Sequence, residues 1–186
     1  VIYAFDAESG EKVGQVATAE TPYRIAPATE YRVFYVEESG YSAVYEANFS
    51  TQETNALTEQ SYHEPSIVTS ADGSLLYIGE SNESGGQLFA LDADGTDFEV
   101  LDSFTFDNGF TPPSPNRHLV LNESTKKIYF AKRIFSTDDL SYILGWLGAD
   151  IQGVNPEGSI ALSDHDLYDS ATFLSFANRN NPEATS

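Results

Sequence analysis

The sequence has no cysteine and no methionine, a single tryptophan, and nine lysines and arginines against 29 aspartates and glutamates. The absence of cysteine excludes a disulfide framework and any thiolate-ligated metal, and leaves the redox compartment open. The shortage of cations, with a formal net charge of −20, argues against a nucleic-acid partner, which needs a basic footprint. It argues equally against binding to an anionic membrane surface. Such a charge keeps a protein dispersed by self-repulsion. An acidic secreted protein and a protein from a salt-rich habitat both fit. No apolar run reaches the length that would cross a bilayer, and no signal peptide stands at the start. The chain begins at Val1, inside strand-like residues, so a processed chain or a fragment is expected.

What is present points to strands. Hydrophobic residues make up 40% of 186 residues, and 11 tyrosines and 12 phenylalanines carry most of the aromatic content. That is enough apolar material for one domain with a sizeable core, in residue types that suit pleated, half-buried surfaces.

The chain also repeats itself. Tyr3-Ala4-Phe5-Asp6, Tyr45-Glu46-Ala47-Asn48 and Phe89-Ala90-Leu91-Asp92 share one pattern, with their first aromatics 42 and 44 residues apart. A second landmark keeps step. Val33-Phe34-Tyr35-Val36, Leu75-Leu76-Tyr77-Ile78 and Lys127-Ile128-Tyr129-Phe130 each place a tyrosine in an apolar run, and ten residues earlier stand Ile25, Ile67 and Leu119. A period near ~42 residues belongs to propeller blades of four strands each. The middle copy reads as a whole blade. Strand A is about Ser66 to Ser70, followed by an Asp72-Gly73 turn, and strand B is Leu75 to Gly79. After a polar loop from Ser81 to Gly86 comes strand C, Gln87 to Leu91. A turn at Asp94-Gly95 leads to strand D, beginning at Phe98 to Leu101. Short strands with Gly-rich turns favour an antiparallel all-β fold over βαβ units.

Ser70-Ala71-Asp72-Gly73-Ser74-Leu75-Leu76-Tyr77, followed by Gly85-Gly86-Gln87-Leu88-Phe89-Ala90-Leu91-Asp92-Ala93-Asp94-Gly95, resembles the WD40-like repeat of TolB-type propellers. Val1 to Gly10 is similar to strand C and its turn in YVTN or PQQ-like repeats. The resemblance covers roughly residues 1–135 and implies a β-propeller. It carries no activity, because such folds host lyases, peptidases, dehydrogenases and binding scaffolds alike. The expected fold is all-β, either a four-bladed propeller or an arc of a larger six- to eight-bladed one, with the arc favoured. The expected organisation is a partial blade over 1–20, blades at about 21–62, 63–108 and 109–155, a divergent remainder, and a polar tail over 178–186. The segment 136–148 reads either as a short helix capped by Thr137 or as an outer strand in which Leu140, Tyr142, Leu144 and Trp146 alternate. The strand is favoured, because a propeller expects one there and Gly145 weakens a helix.

Several residues are candidate sites. Strand A of a propeller lines the central channel, and the repeat makes Arg24, Ser66 and His118 equivalent. In a chain with few cations, Arg24, His63, Arg117 and His118 cluster at the start of strand A, with Glu64 beside His63. Arginine there would offer paired donors to an anionic or sugar-like ligand; the plainer reading is that polar inner strands solvate the channel. Asp92, Asp94 and Asp97 resemble the opening of a calcium loop. Ser103 stands where the twelfth-position glutamate is required, so a hairpin turn is the better reading. Asp164-His165-Asp166, with Asp169 nearby, offers a carboxylate-oriented histidine, or simply a solvated loop. Asn48, Asn82 and Asn122 head N-glycosylation sequons, with Asn82 and Asn122 in turns expected to be exposed.

There is no G-x-S-x-G elbow, H-E-x-x-H pair or phosphate-binding glycine loop. The single tryptophan speaks against quinoprotein dehydrogenase repeats. The function expected is a non-catalytic, extracellular or periplasmic binding or structural module for a protein or carbohydrate partner. It would need no cofactor unless calcium binds, and an arc would call for another chain to complete the propeller. The alternative is a polysaccharide lyase or hydrolase using the channel-mouth histidines and arginines.

Overall fold

The computed structural model describes residues 1–29, 31–80, 86–94, 98–106 and 118–176. Its strands, in chain order, begin with β1 (Ile2–Phe5), β2 (Lys12–Val16), β3 (Pro22–Thr29), β4 (Arg32–Glu37), β5 (Tyr41–Ser42), β6 (Tyr45–Asn48) and β7 (Glu53–Ala56). Next come β8 (Tyr62–His63), β9 (Ser66–Thr69), β10 (Leu75–Gly79), β11 (Gln87–Asp92) and β12 (Val100–Thr105). The last are β13 (Val120–Asn122), β14 (Lys127–Phe130), β15 (Arg133–Ser136), β16 (Ile143–Trp146), β17 (Ile151–Val154), β18 (Ile160–Ser163) and β19 (Leu167–Asp169). There is no α-helix among the described residues; one 3₁₀ turn spans Glu123–Thr125.

Apart from the two-stranded β5-β8 pair, the strands form five successive antiparallel sheets: β1-β2, β3-β4-β6-β7, β9 to β12, β13 to β16, and β17-β18-β19. Segment 136–148 resolves as the outer strand β16, shorter than the alternation suggests, with Leu140 buried in the preceding turn. The fourth sheet ends at Trp146, and Ile151 opens the next. That last sheet accounts for much of the stretch in which the repeat is no longer legible.

The hydrophobic residues are divided among the gaps between sheets. Ile2 and Val16 of the first sheet pack with Tyr35 and Ala47 of the second. Phe34 and Val36 pack with Ile67, Leu76, Ile78 and Phe89 between the second and third. Tyr77 and Leu88 meet Ile128, Phe130 and Phe135 between the third and fourth. Tyr129 and Ile134 meet Ile151, Ala161 and Tyr168 between the fourth and fifth. Middle strands are therefore covered on both faces, which explains why β4, β10 and β14 read as continuous apolar runs. Among the described residues no such cluster joins the last sheet to the first. Tyr3, Phe5 and Val13 at one end and Ile160, Leu162 and Leu167 at the other are exposed.

Two devices set the spacing between sheets. In the first, a glycine on one sheet seats a phenylalanine of the next. A Cβ at Gly14 would lie 3.0 Å from the Phe49 ring, one at Gly79 2.6 Å from Phe130, and one at Gly145 2.6 Å from Phe173. The second is a row of turns at the ends of the inner strands. Gly73 (φ +75°) sits so close to the Ala28 carbonyl that a Cβ would meet it at 1.9 Å. The Thr69 hydroxyl donates to the Pro27 carbonyl, and the Ala71 N–H to Glu123 Oε1 at 2.6 Å. Asn122 Nδ2 donates to the Asn155 carbonyl at 3.0 Å. Each turn leans on the one in the neighbouring sheet.

The candidate site at the inner-strand mouth

The inner strands β3, β9, β13 and β17 lie side by side in that order. They start at the face opposite the row of turns, which is where the scarce cations were expected. The register corrects one equivalence. Ser66 faces Gly79 and Ile67 faces Ile78, whereas Arg24 faces Val36 and Ile25 faces Tyr35, beside a bulge between Pro22 and Arg24. Arg24 therefore stands where Ile67 stands, not where Ser66 does. The shift turns Ile25 outward at 49% exposure, while Ile67 and Leu119 are buried at 7% and 6%.

Even so, Arg24 and His118 meet: Arg24 Nη1 lies 3.0 Å from His118 Nδ1, across 94 residues of sequence. A guanidinium can only donate, so His118 accepts through Nδ1, and its ring proton sits on Nε2. Burial, and then the Arg24 charge, push the His118 pKa below its usual value, while Asp164 and Asp150 pull the other way. The imidazole is thus held neutral with both nitrogens assigned. Between the two residues, the Ser66 hydroxyl accepts the Leu119 N–H at 2.9 Å. The Arg24 guanidinium also lies over the Tyr23 ring, 4.9 Å from its centre.

His63 is placed differently. Its ring makes an edge contact with Tyr41, with centroids 4.8 Å apart, and its N–H donates to the buried Glu80 carboxylate at 3.0 Å. β5 and β8 pair Tyr41 with His63 and Ser42 with Tyr62, a two-stranded stitch from the second sheet to the third that the sequence does not announce. Glu64 follows in the left-handed region (φ +42°), and its N–H donates to the Gly40 carbonyl at 3.0 Å. Arg117 lies outside the described residues.

The remaining candidates are spread across the sheets. Asp92 Oδ1 accepts the Asp94 N–H at 2.9 Å, a hairpin-turn arrangement; Asp97 lies outside the described residues. Among the described residues no group of three or more His, Asp or Glu side chains is placed to hold a metal ion. Ser163 Oγ accepts the N–H groups of His165 and Asp166, which makes Asp164-His165-Asp166 a turn with His165 exposed; only Asp164 reaches the mouth, through its field on His118.

The expectation of an exposed Asn122 is corrected. It is 7% exposed, and the Nδ2 that would carry a glycan donates to the Asn155 and Pro156 carbonyls. Its Oδ1 caps the 3₁₀ turn through Thr125 N–H at 3.0 Å. It looked exposed because it is a polar residue in a turn, and the next sheet's turn covers it. Asn48 is half-buried, its Oδ1 accepting from Ser50 and Thr51 N–H; Asn82 lies outside the described residues.

No family model and no curated protein sequence matches this chain. Solved structures do. Hydrazine synthase of Kuenenia stuttgartiensis superposes with a TM-score of 0.64 at 10% identity, covering 93% of this chain and 63% of that one. A chain of the mitotic checkpoint complex gives 0.57 at 15% identity, covering 95% and 59%. TolB from Acinetobacter baumannii gives 0.56 at 13%, covering 93% and 47%. The fold is a β-propeller. At these identities the likeness carries fold and nothing further, and the chain spans between 47% and 63% of the lengths of these three chains. No helix among the described residues is long and apolar enough to cross a membrane.

Proposed function

We propose that this propeller is a non-catalytic binding module whose inner-strand mouth receives a basic segment of a protein partner. The observation that carries this reading is the state of His118. A general base needs an open lone pair on the side facing its substrate. The one lone pair of neutral His118 is occupied by Arg24, so the pair acts as a strut between β3 and the chain entering β13. The net charge of −20 and the exposed Tyr23 and Tyr41 at 45% and 62% supply what a basic partner would need: long-range steering and rigid aromatic contact. The TolB-type character of the repeat, drawn from residues 70–95, is part of this reading, as is a location outside the cytoplasm.

The test is hydrogen exchange read by mass spectrometry with synthetic peptides of matched length that are basic, neutral or acidic. Basic peptides should protect backbone amides around Tyr23, Gly40 and His63, and protection should fade as salt rises. Protection confined to the row of turns, or equal protection by acidic peptides, would overturn the reading.

A further inference from the structure

The turn from β9 to β10 and the 3₁₀ turn after β13 border a cleft of about 410 Å³ whose lining includes Asp72, Leu75, Tyr77, Leu121, Glu123 and Thr137. It belongs to the row of turns, at the other end of the inner strands from the mouth, and is independent of the partner proposed there. Each carboxylate in its wall is held through one oxygen. Asp72 Oδ1 accepts from Ser70 Oγ at 2.6 Å, Ser74 Oγ at 2.7 Å and Ser74 N–H at 3.0 Å. Glu123 Oε1 accepts the Ala71 N–H at 2.6 Å. Asp72 Oδ2 and Glu123 Oε2 have no partner among the described residues. The side chains are thus placed in advance, with an acceptor left over on each, which lowers the ordering cost of binding.

Exposed carboxylates are common in a chain of net charge −20. The group behind these two is not. Tyr77 is 3% exposed, its ring packed in the cluster between the third and fourth sheets, and its hydroxyl has no hydrogen-bond partner among the described residues. Burial raises its pKa, and the charges of Glu123, Asp138 and Asp72 raise it further. Those charges act on the hydroxyl, so the polar end of the side chain is the end that opens on the cleft. A buried polar group without a partner is costly, and here the partner would be a donor that enters the cleft. Asp138 is already taken, with Lys126 Nζ 2.9 and 3.1 Å from its two oxygens, and among the described residues no cation lines the cleft. Two carboxylate oxygens and a neutral phenol oxygen therefore face one space beside the half-buried Leu75 and Leu121. A primary ammonium has three donors to match them. A metal ion fits less well, because no three His, Asp or Glu side chains are grouped to hold one among the described residues.

We propose that this cleft binds a small primary ammonium ion with an apolar body, its nitrogen donating to Asp72, Glu123 and the Tyr77 hydroxyl and its body resting on Leu75 and Leu121. The test is an amide chemical-shift titration of the whole chain with phenethylamine, phenethyl alcohol and phenethyltrimethylammonium. The amine should shift the amides of Ala71, Asp72 and Glu123 and saturate. The alcohol loses the charge and the trimethylated ion loses the donors, and both should bind at least about tenfold more weakly.

Tyr77→Phe removes the hydroxyl alone. It should weaken amine binding about threefold or more and leave Tm at the wild-type value, because no bond within the protein is lost. E123Q keeps an acceptor for the Ala71 N–H, loses the charge, and should weaken binding about tenfold. E53Q removes the same charge from an exposed site elsewhere and should change affinity less than about twofold. Equal losses in E123Q and E53Q would assign the binding to bulk charge and overturn the site. So would an amine that moves none of these amides, or an alcohol or trimethylated ion that binds as well as the amine. A Tyr77→Phe variant that binds the amine like the wild type, or that melts lower, would make the hydroxyl structural and overturn it too.

Discussion

Gly79→Ala adds one methyl group where the structure has no room. Gly79 ends β10, and the new Cβ would lie 2.6, 2.7 and 2.9 Å from Cε2, Cζ and Cδ2 of Phe130, whereas carbon atoms settle at about 3.5–4.0 Å. The ring would have to retreat by roughly an ångström. Phe130 is 2% exposed and packs edge-on against Phe106 at 5.9 Å, so it has nowhere to go without spreading the third and fourth sheets. Overpacking of this kind costs about 1–3 kcal/mol, offset in part by the ~0.4–1 kcal/mol that Gly→Ala gains from a stiffer unfolded chain. A net loss of about 1–2 kcal/mol should lower Tm by roughly 2–8 °C for a chain of this size.

The assay is a calorimetric melt beside Gly153→Ala. A Cβ at Gly153 would meet nothing within 4 Å, so only the unfolded-state gain applies and Tm should hold or rise. Phe130→Leu then closes a double-mutant cycle. It should cost less in the Gly79→Ala background than in the wild type, because the smaller side chain vacates the space the methyl group needs. If Gly79→Ala melts at or above the wild-type temperature, or if the two changes are additive, the seating argument is wrong.

Other expectations follow from single contacts. Asp72 Oδ1 accepts from Ser70 Oγ, Ser74 Oγ and Ser74 N–H, and these bonds hold its pKa down at about 2. Its stabilisation is complete above the ordinary carboxylate range and is lost as pH falls toward 2, so Asp72→Asn should flatten part of the Tm loss between pH 5 and pH 2. His118, pushed below its usual pKa by burial and Arg24, is protonated more readily in the unfolded chain. It should therefore subtract stability as pH falls below about 6.5 and have no effect above; His118→Asn should reduce the Tm difference between pH 7.5 and 5.5, and an unchanged difference would refute the strut. Asn122→Ala removes a cap and the bonds to the next turn, and should cost about 1–2 kcal/mol in chemical denaturation. The mass of the protein should show no glycan at that position.

The repeat was legible wherever a strand is covered on both faces. Leu75–Gly79 matches the sequence reading from end to end, and the tyrosines at 35, 77 and 129 all lie in second strands of their sheets and are buried. Covering both faces forces an apolar run, and an apolar run can be aligned. In β18 the burial alternates, with Ile160 and Leu162 exposed and Ala161 and Ser163 buried. With one face open the run dissolves, and with it the repeat signature. The two-residue strands β5 and β8 have no period to detect. At the mouth, the sequence brought Arg24 and His118 to the start of strand A, but by an equivalence that the register corrects. The one-residue bulge before Arg24 leaves no mark in the composition.

The placement of the hydrophobic residues in the gaps between sheets has a consequence for how such a molecule varies. Among the described residues no interior is common to all the sheets, so each one answers to its immediate neighbours, and stability accumulates pair by pair along the chain. An amide deep in β10 should exchange slowly, because opening the third sheet breaks its packing against both the second and the fourth. The same grammar makes the number of blades a free parameter. The fourth sheet carries both parts, Phe130 toward the third sheet and the Gly145 seat toward the fifth, so a duplicate of it would carry its own means of attachment.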